Sequence, residues 1–272
     1  MAAVPVNLEL LRPAWTAPPG VDAAMSPRQG GVSAAPFDSL NLSFSVGDEA
    51  AAVAENRRRF TAAISAQPVW MRQVHGTAVL RLTAQSLAEP MATADAAWTS
   101  ERGLACTVGA ADCMPVLMAL SDGGAVAAAH AGWRGLAGGV LEATLAALCR
   151  GMDARPADVR VWLGPCIGPR QFEVGADVLL AFGQGPADTS ATEAVASAGG
   201  GCFVPRPRAG GSPRWLADLP RLARQRLAAA GVVDITDAAL CTVEEASRFF
   251  SYRRDAVTGR MAAAIWRDGW RR

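Results

Sequence analysis

The residues best suited to chemistry in this chain are Cys113, His130 and His75. The segment from Asp112 to Gly135 reaches Cys113 at once, runs apolar to Leu120, turns at Ser121-Asp122-Gly123-Gly124, and runs apolar again into His130. The chain has only two histidines, and the other, His75, lies in Gln73-Val74-His75-Gly76. A hairpin turn at Asp122-Gly123 sets His130 opposite Pro115. Cys113, two positions from Pro115, then points to the same face of the sheet. Such diagonal neighbours lie on the order of 7 Å apart, and a register shifted by two would bring Cys113 and His130 to about 5 Å. Either way a thiol and an imidazole meet at the open end of the hairpin. With His75, they offer a metal three ligands and leave a fourth tetrahedral position open, which is how catalytic zinc sites differ from structural ones. Without a metal, the same residues make a thiol nucleophile and its base. Buried cysteines and lone histidines are also ordinary core residues. What singles these out is that both histidines of a histidine-poor chain sit beside small residues at strand ends.

Composition narrows the chemistry further. The chain has 272 residues, 51% hydrophobic and 19% charged, with a formal net charge of +1. That size buries a substantial core, and the charge points to neither nucleic acid nor an anionic membrane as a partner. All 26 basic residues are arginine. Phosphate loops built on lysine, Schiff bases and pyridoxal-phosphate chemistry are therefore excluded, and any phosphate must be held by arginine's planar fork. No signal peptide is expected from the N-terminal residues. No apolar run reaches the roughly 18 residues of a membrane span. Six scattered cysteines without a C-x-x-C pair suggest reduced thiols in a cytoplasm.

The elements that must position these residues are expected to mix strands and helices in one domain spanning 1–272. Strands are predicted at Ser39–Ser43, Val69–Val74, Ala78–Leu82, Leu104–Ala110, Met114–Leu120, Val126–Ala129, Val159–Leu163, Val232–Ile235 and Met261–Trp266. The second of these would deliver Gln73 and His75 at its C-terminal end. Helices are predicted at Glu49–Ile64, with Asn56-Arg57-Arg58-Arg59 mostly on the solvent face, and at Gly138–Arg150, closed by Gly151. Two more are predicted at Gly175–Phe182 and at Leu219–Ala230, the latter closed by Gly231. Residues 183–213 read as a loop-rich insertion with a little structure around Cys202 to Pro205.

The motifs Gln73-Val74-His75-Gly76, Ala111-Asp112-Cys113-Met114-Pro115-Val116, Ala129 through Gly135 and Leu163 through Pro169 resemble the laccase-domain family, also known as polyphenol oxidases or purine nucleoside phosphorylases. Gly30-Gly31-Val32-Ser33, Ser39-Leu40-Asn41-Leu42, Val46-Gly47-Asp48, Asn56-Arg57, Phe250 through Asp255 and Thr258 through Met261 extend the resemblance, in family order, over nearly the whole chain. Ser43 and Ser45 depart from it, standing where many members have glycine and histidine, and Cys166 stands where a small residue is common. The resemblance implies an α-β-β-α layered sandwich and zinc held by His75, Cys113 and His130. It implies phosphorolysis of adenosine, inosine, guanosine and 5′-methylthioadenosine to the base and a ribose 1-phosphate, and deamination of adenosine. It also brings a link to peptidoglycan-precursor editing.

For phosphorolysis, Arg57, Arg134, Arg253, Arg254 and Arg260 are the arginines in motif positions, with Asn41 and Gln73 as hydrogen-bonding candidates for base or ribose. Trp133 is a candidate for stacking on the base. For deamination, zinc would activate a water for attack at C6 of adenine, and Glu173 or Asp112 would carry the proton. Copper can enter a His/Cys/His site adventitiously, but two histidines are too few for multicopper oxidase chemistry. The competing readings are a Cys/His amidase using Cys113 and His130, and a metal-binding module without catalysis. The expected partners are a nucleoside and phosphate, with no nucleic acid, no membrane and a monomeric chain.

Overall fold

The computed structural model describes residues 8–184, 201–206 and 212–269. In chain order these form β1 (Val21–Met25), α1 (Ala50–Ile64), β2 (Gln67–Val69), β3 (Val79–Arg81), β4 (Ala96–Thr99) and β5 (Leu104–Ala110). The hairpin β6 (Met114–Leu120) and β7 (Val126–Ala131) follows, then α2 (Trp133–Gly138), α3 (Val140–Met152) and β8 (Val159–Leu163). The remainder comprises β9 (Glu173–Val174), α4 (Ala176–Ala181), β10 (Phe203–Pro205), β11 (Trp215–Ala217), α5 (Leu219–Ala229), β12 (Asp234–Asp237), α6 (Tyr252–Asp255) and β13 (Met261–Arg267). One sheet has the order β1-β13-β5-β2 and another the order β12-β8-β6-β7-β4-β3; β10-β11-β9 forms a small third sheet.

The two large sheets face each other, and strand alternation shows how. In β13, Met261, Ala263 and Ile265 pack with Leu117 and Ala119 of β6, Val126 and Ala128 of β7 and Trp162 of β8 in a core between the sheets. The alternate residues Ala262 and Ala264 turn outward and pack with Ala24, Ala105 and the α1 residues Phe60 and Ile64. On the far side, Val116, Met118, Ala127 and Ala129 pack against Leu141, Leu145 and Leu148 of α3 and Leu222 and Leu227 of α5. The chain is thus a mixed α and β fold layered α-β-β-α. β6 and β7 are buried on both faces, which is why they read as continuous apolar runs rather than alternating ones. No helix among the described residues is long and apolar enough to cross a membrane.

Four local expectations differ from the structure. Ser39 to Ser43 is not a strand. Its N–H groups at Ser39, Leu40 and Leu42 donate to the Arg28 and Arg260 carbonyls, and side chains complete its carbonyls, with Asn56 Nδ2 donating to Ser39 and Asn41 and Arg57 Nε to Leu42. Asn56 is accordingly fully buried rather than on the solvent face of α1. The strand predicted over Val69–Val74 ends at Val69, and beyond it the backbone leaves the sheet to carry His75. Gly151 does not close its helix; α3 continues to Met152, and Asp153 takes the left-handed cap. Much of the 183–213 insertion lies outside the described residues, but its expected structure near Cys202 is present as β10, paired with β11.

Gly151 has another reason to be glycine. A Cβ there would sit 2.1 Å from Cη2 of Trp98 on β4. Helix propensity favours alanine over glycine by about 1 kcal/mol, whereas overpacking a close contact costs about 1–3 kcal/mol. The steric cost wins, because the atom met is an indole ring that is itself buried in the core. Gly151→Ala therefore lowers the melting temperature measured by calorimetry, although propensity alone would raise it.

Candidate metal centre

The inner apolar stripes of the hairpin end in polar residues at the mouth of the gap between the sheets. Going outward along β6, Ala119 and Leu117 lead to Pro115 and then Cys113; along β7, Val126 and Ala128 lead to His130. Pro115 pairs with His130, the first of the two registers considered, so Cys113 lies diagonal to His130 on the shared face. His75 arrives from the segment between β2 and β3, in a left-handed backbone conformation with φ of 60°. The Cys113 Sγ and His75 Nε2 atoms are 3.6 Å apart, and the two imidazole rings meet edge to face with centroids 4.8 Å apart.

One ligand atom from each of His75, Cys113 and His130 falls within 4.8 Å of the others. Tetrahedral zinc, at about 2.0 Å from nitrogen and 2.3 Å from sulfur, separates its ligand atoms by roughly 3.5 Å. The Cys113–His75 separation already has this value, and small side-chain rotations close the widest pair. Gly132 is part of the cradle. A Cβ on it would lie 2.7 Å from Cys113 Sγ and 2.8 Å from His75 Cδ2, so only glycine lets the chain pass this close. The donor set and the packing around it therefore fit a metal ion.

The sequence reading missed Asp95. This residue precedes β4, is fully buried, and accepts from His130 Nδ1 at 2.9 Å. It also accepts from the backbone N–H groups of Val74, His75 and Gly76. An aspartate ahead of an Ala-Ala-Trp-Thr strand carries no local motif. Its place follows from the pairing of β4 with β7, which sets Asp95 beside His130 and which no spacing in the sequence announces.

The electrostatics favour a thiolate. Burial pushes the Cys113 thiol up, but the positive field and hydrogen bonds of His130 and His75 prevail and bring it down to about 6. Burial pushes His130 down, yet the Cys113 charge and Asp95 raise it to about 9. Without a metal at neutral pH, Cys113 and His130 thus form a thiolate–imidazolium pair, with Asp95 held ionised on its other side despite burial.

The other candidate residues separate by their contacts. Asn41 is fully buried, donates to the Ser43 carbonyl and Asp48, and accepts from the Ser43 and Arg260 N–H groups. Gln73 spans both backbone polar groups of Gly109. Arg254 donates to the carbonyls of Thr242, Val243 and Phe249 and to Asp255. These three build the fold around the site. Arg57 is stacked between Phe44 and Trp70, 4.5 and 3.9 Å from their rings. Arg134 is exposed over Trp133, which packs at the edge of the helix-side core. Arg253 donates to the Glu173 carbonyl from its side chain and to Asp112 from its backbone. Arg260 lies nearest in effect to the cluster. Burial lowers its pKa, and the charges of Cys113 and Asp112 act against that lowering. Of the two candidate proton carriers, Asp112 accepts from the Thr242 hydroxyl and the Arg253 N–H at 2.6 Å each, and Glu173 pairs with Arg206 at 3.3 Å.

Residues 22–268 match the family described as multi-copper polyphenol oxidoreductase laccase. The chain belongs to this family. It is 46% identical over 259 residues to the Pseudomonas aeruginosa protein named purine nucleoside phosphorylase PA4543, covering 94% of this chain and 97% of that one. It is also 46% identical over 260 residues to Escherichia coli purine nucleoside phosphorylase YfiH, covering 95% and 98%. Among solved structures, Neisseria meningitidis protein NMB0706 superposes with a TM-score of 0.82 at 42% identity, over 96% of this chain and 99% of that one. YlmD from Geobacillus stearothermophilus gives a TM-score of 0.82 at 30% identity, over 97% and 100%. The relatives' names support an enzyme, and the His/Cys/His cluster could bind a metal in it. The multi-copper part of the family's description fits poorly with a chain of two histidines, since imidazole is a principal ligand of protein copper sites.

In metal-free protein, Cys113 alkylation by iodoacetamide should rise with pH through an inflection near 6, because the folded pKa lies below the ordinary thiol value. Labelling at neutral pH should be selective, since the other five cysteines are buried. An inflection near the ordinary thiol value of about 8.5, followed by mass spectrometry of the labelled peptide, would count against the thiolate–imidazolium pair.

Proposed function

We propose that this chain is a zinc-dependent purine nucleoside phosphorylase with adenosine deaminase activity, and that His75, Cys113 and His130 are its catalytic and metal-holding residues. The observation that carries the reading is an open three-donor cluster at the mouth of the sandwich in a chain 46% identical to proteins named purine nucleoside phosphorylase. Adenosine, inosine, guanosine and 5′-methylthioadenosine are the proposed substrates. In phosphorolysis the bond between the base nitrogen and the anomeric carbon breaks, a phosphate oxygen bonds to that carbon, and the departing base takes up a proton. Bound zinc would supply Lewis acidity beside the reacting groups.

The protein's own part is orientation and charge. Asp95 anchors the two histidines, and Gly132 closes one side of the cluster. Arg260 is the arginine best suited to phosphate. Its side-chain donor bonds run from Nη1 to the Thr258 and Gly259 carbonyls, and it feels the Cys113 charge. Arg57 and Arg253 remain candidates for more distant contacts with the substrate. The cytoplasm is the proposed compartment, and the chain is proposed to act as a monomer.

Purified protein loaded with zinc should convert adenosine and phosphate to adenine and ribose 1-phosphate, and some adenosine to inosine, by chromatography. His75→Ala should lose at least 100-fold of this activity together with its zinc. Absence of all three products from the zinc-loaded wild type would refute the proposal. Arg260→Gln should raise KM for phosphate about 10- to 100-fold, the value of one charged hydrogen-bonding contact of about 1.5–3 kcal/mol, with a smaller effect on KM for the nucleoside. An equal rise in both constants would remove Arg260 from phosphate binding.

A second reading is favoured by one observation, the low thiol pKa of Cys113 beside two imidazoles. It makes the chain a Cys/His amidase, with precursor amides of the cell wall as the class of substrate. Zinc then inhibits rather than activates, because it occupies the nucleophile, and the zinc dependence of turnover separates the two readings.

A further inference from the structure

We infer that Asp95 is a positioning residue that places both histidines for the metal: it commits His130 to coordination through Nε2 and holds the turn that presents His75. The inference rests on the metal reading above.

Strand pairing brings Asp95 into place. β4 runs antiparallel to β7 with Ala96 opposite Ala129. One residue further out, Asp95 lies opposite His130, and the His130 N–H donates to the Asp95 carbonyl at 2.7 Å. Opposed residues of an antiparallel pair point to the same face, so the Asp95 carboxylate is delivered to the side of the imidazole.

The carboxylate then has four donors. Oδ1 accepts from the His75 N–H at 2.8 Å and faces His130 Nδ1 at 2.9 Å. Oδ2 accepts from the Gly76 N–H at 2.7 Å and the Val74 N–H at 3.1 Å. An ionised carboxylate only accepts, so Nδ1 must carry the proton at this contact. Nε2 is left as the His130 atom that can bind a metal. The same oxygens gather three successive N–H groups, a nest-like arrangement that favours an anion. They hold His75 in a left-handed conformation, φ 60°, that is uncommon for a non-glycine residue. His75 is exposed, so side-chain packing alone does not fix it. Among the described residues, no arginine is paired with Asp95. These four donors are what offset the burial of its charge.

Asp95→Asn is nearly isosteric but has one acceptor oxygen and one donor amide, so it cannot receive all four donors. If Asp95 positions the histidines, zinc affinity measured against a chromophoric chelator falls 10- to 100-fold. The cobalt-substituted variant then also shows altered d–d and thiolate charge-transfer bands. Unchanged affinity and unchanged cobalt spectrum would overturn the inference, even if the melting temperature fell. Should the variant fail to fold, two-bond proton–nitrogen correlation on the zinc-loaded wild type decides the matter, with only two imidazoles to assign. His130 protonated on Nδ1 and ligated through Nε2 supports the role, and ligation through Nδ1 overturns it. A wild type that binds zinc in this way but does not cleave nucleosides would refute the proposed reaction while leaving the role of Asp95 in place.

Discussion

The site depends on a buried carboxylate facing a buried imidazole where the core between the sheets ends. Everywhere else along β6 and β7 the inner face is apolar, so Asp95 and His130 remove polar groups from water and must recover that cost locally. They do so by binding each other and by drawing the backbone of Val74 to Gly76 onto Asp95. The N–H groups of Val74, His75 and Gly76 hold one aspartate, and His75 is fixed beside Cys113 on an otherwise exposed turn. The layered fold supplies the rigidity. Both strands of the hairpin are buried on both faces, and Cys113 and His130 inherit the positional precision of the sheet.

Arginine without lysine shapes the surroundings of the site. A guanidinium can donate to carbonyls while lying flat on an aromatic ring, and several arginines here do both. Arg57 bonds the Leu42 carbonyl between Phe44 and Trp70, and Arg260 bonds the Thr258 and Gly259 carbonyls near Tyr252. Such arginines brace loops without needing a carboxylate partner and keep their charge available. Arg254 shows the opposite case. It spends its fork on three carbonyls and Asp255.

How much of this was legible in the sequence depended on whether the signal was periodic. The shared face of Cys113 and His130 followed from Asp122-Gly123 and strand parity, while of the two registers left open the structure takes the one in which Pro115 faces His130. Helices α1, α3, α4 and α5 and strands β5 to β8 and β13 followed from apolar spacing, whereas the short helices α2 and α6 and strands β1 and β4 were not predicted. Asn41, Asn56 and Gln73 were harder to read, because a polar residue that satisfies buried backbone looks in sequence like one facing solvent or substrate. Asp95 was hardest of all. Its role arises from β4 lying beside β7, a non-local pairing that no spacing encodes. Gly151 was misread for a related reason: a glycine near a helix end suggests a cap, whereas the requirement here comes from Trp98 on a neighbouring strand.

The three donors differ in exposure in a way that bears on mechanism. His130 is buried, Cys113 is half-buried and His75 is exposed. A structural metal site encloses its ion with a complete ligand set, whereas this cluster is closed toward the core and open toward His75. Within the metal-free site, the thiolate and the imidazolium compensate each other, so the pair can persist in a partly desolvated pocket. Binding a divalent cation would then require His130 to give up its Nε2 proton, while Asp95 retains the proton on Nδ1. The aspartate thus makes two states of the cluster compatible with one backbone. The same hydrogen bond steadies the imidazolium when the metal is absent and orients the neutral ring when it is present.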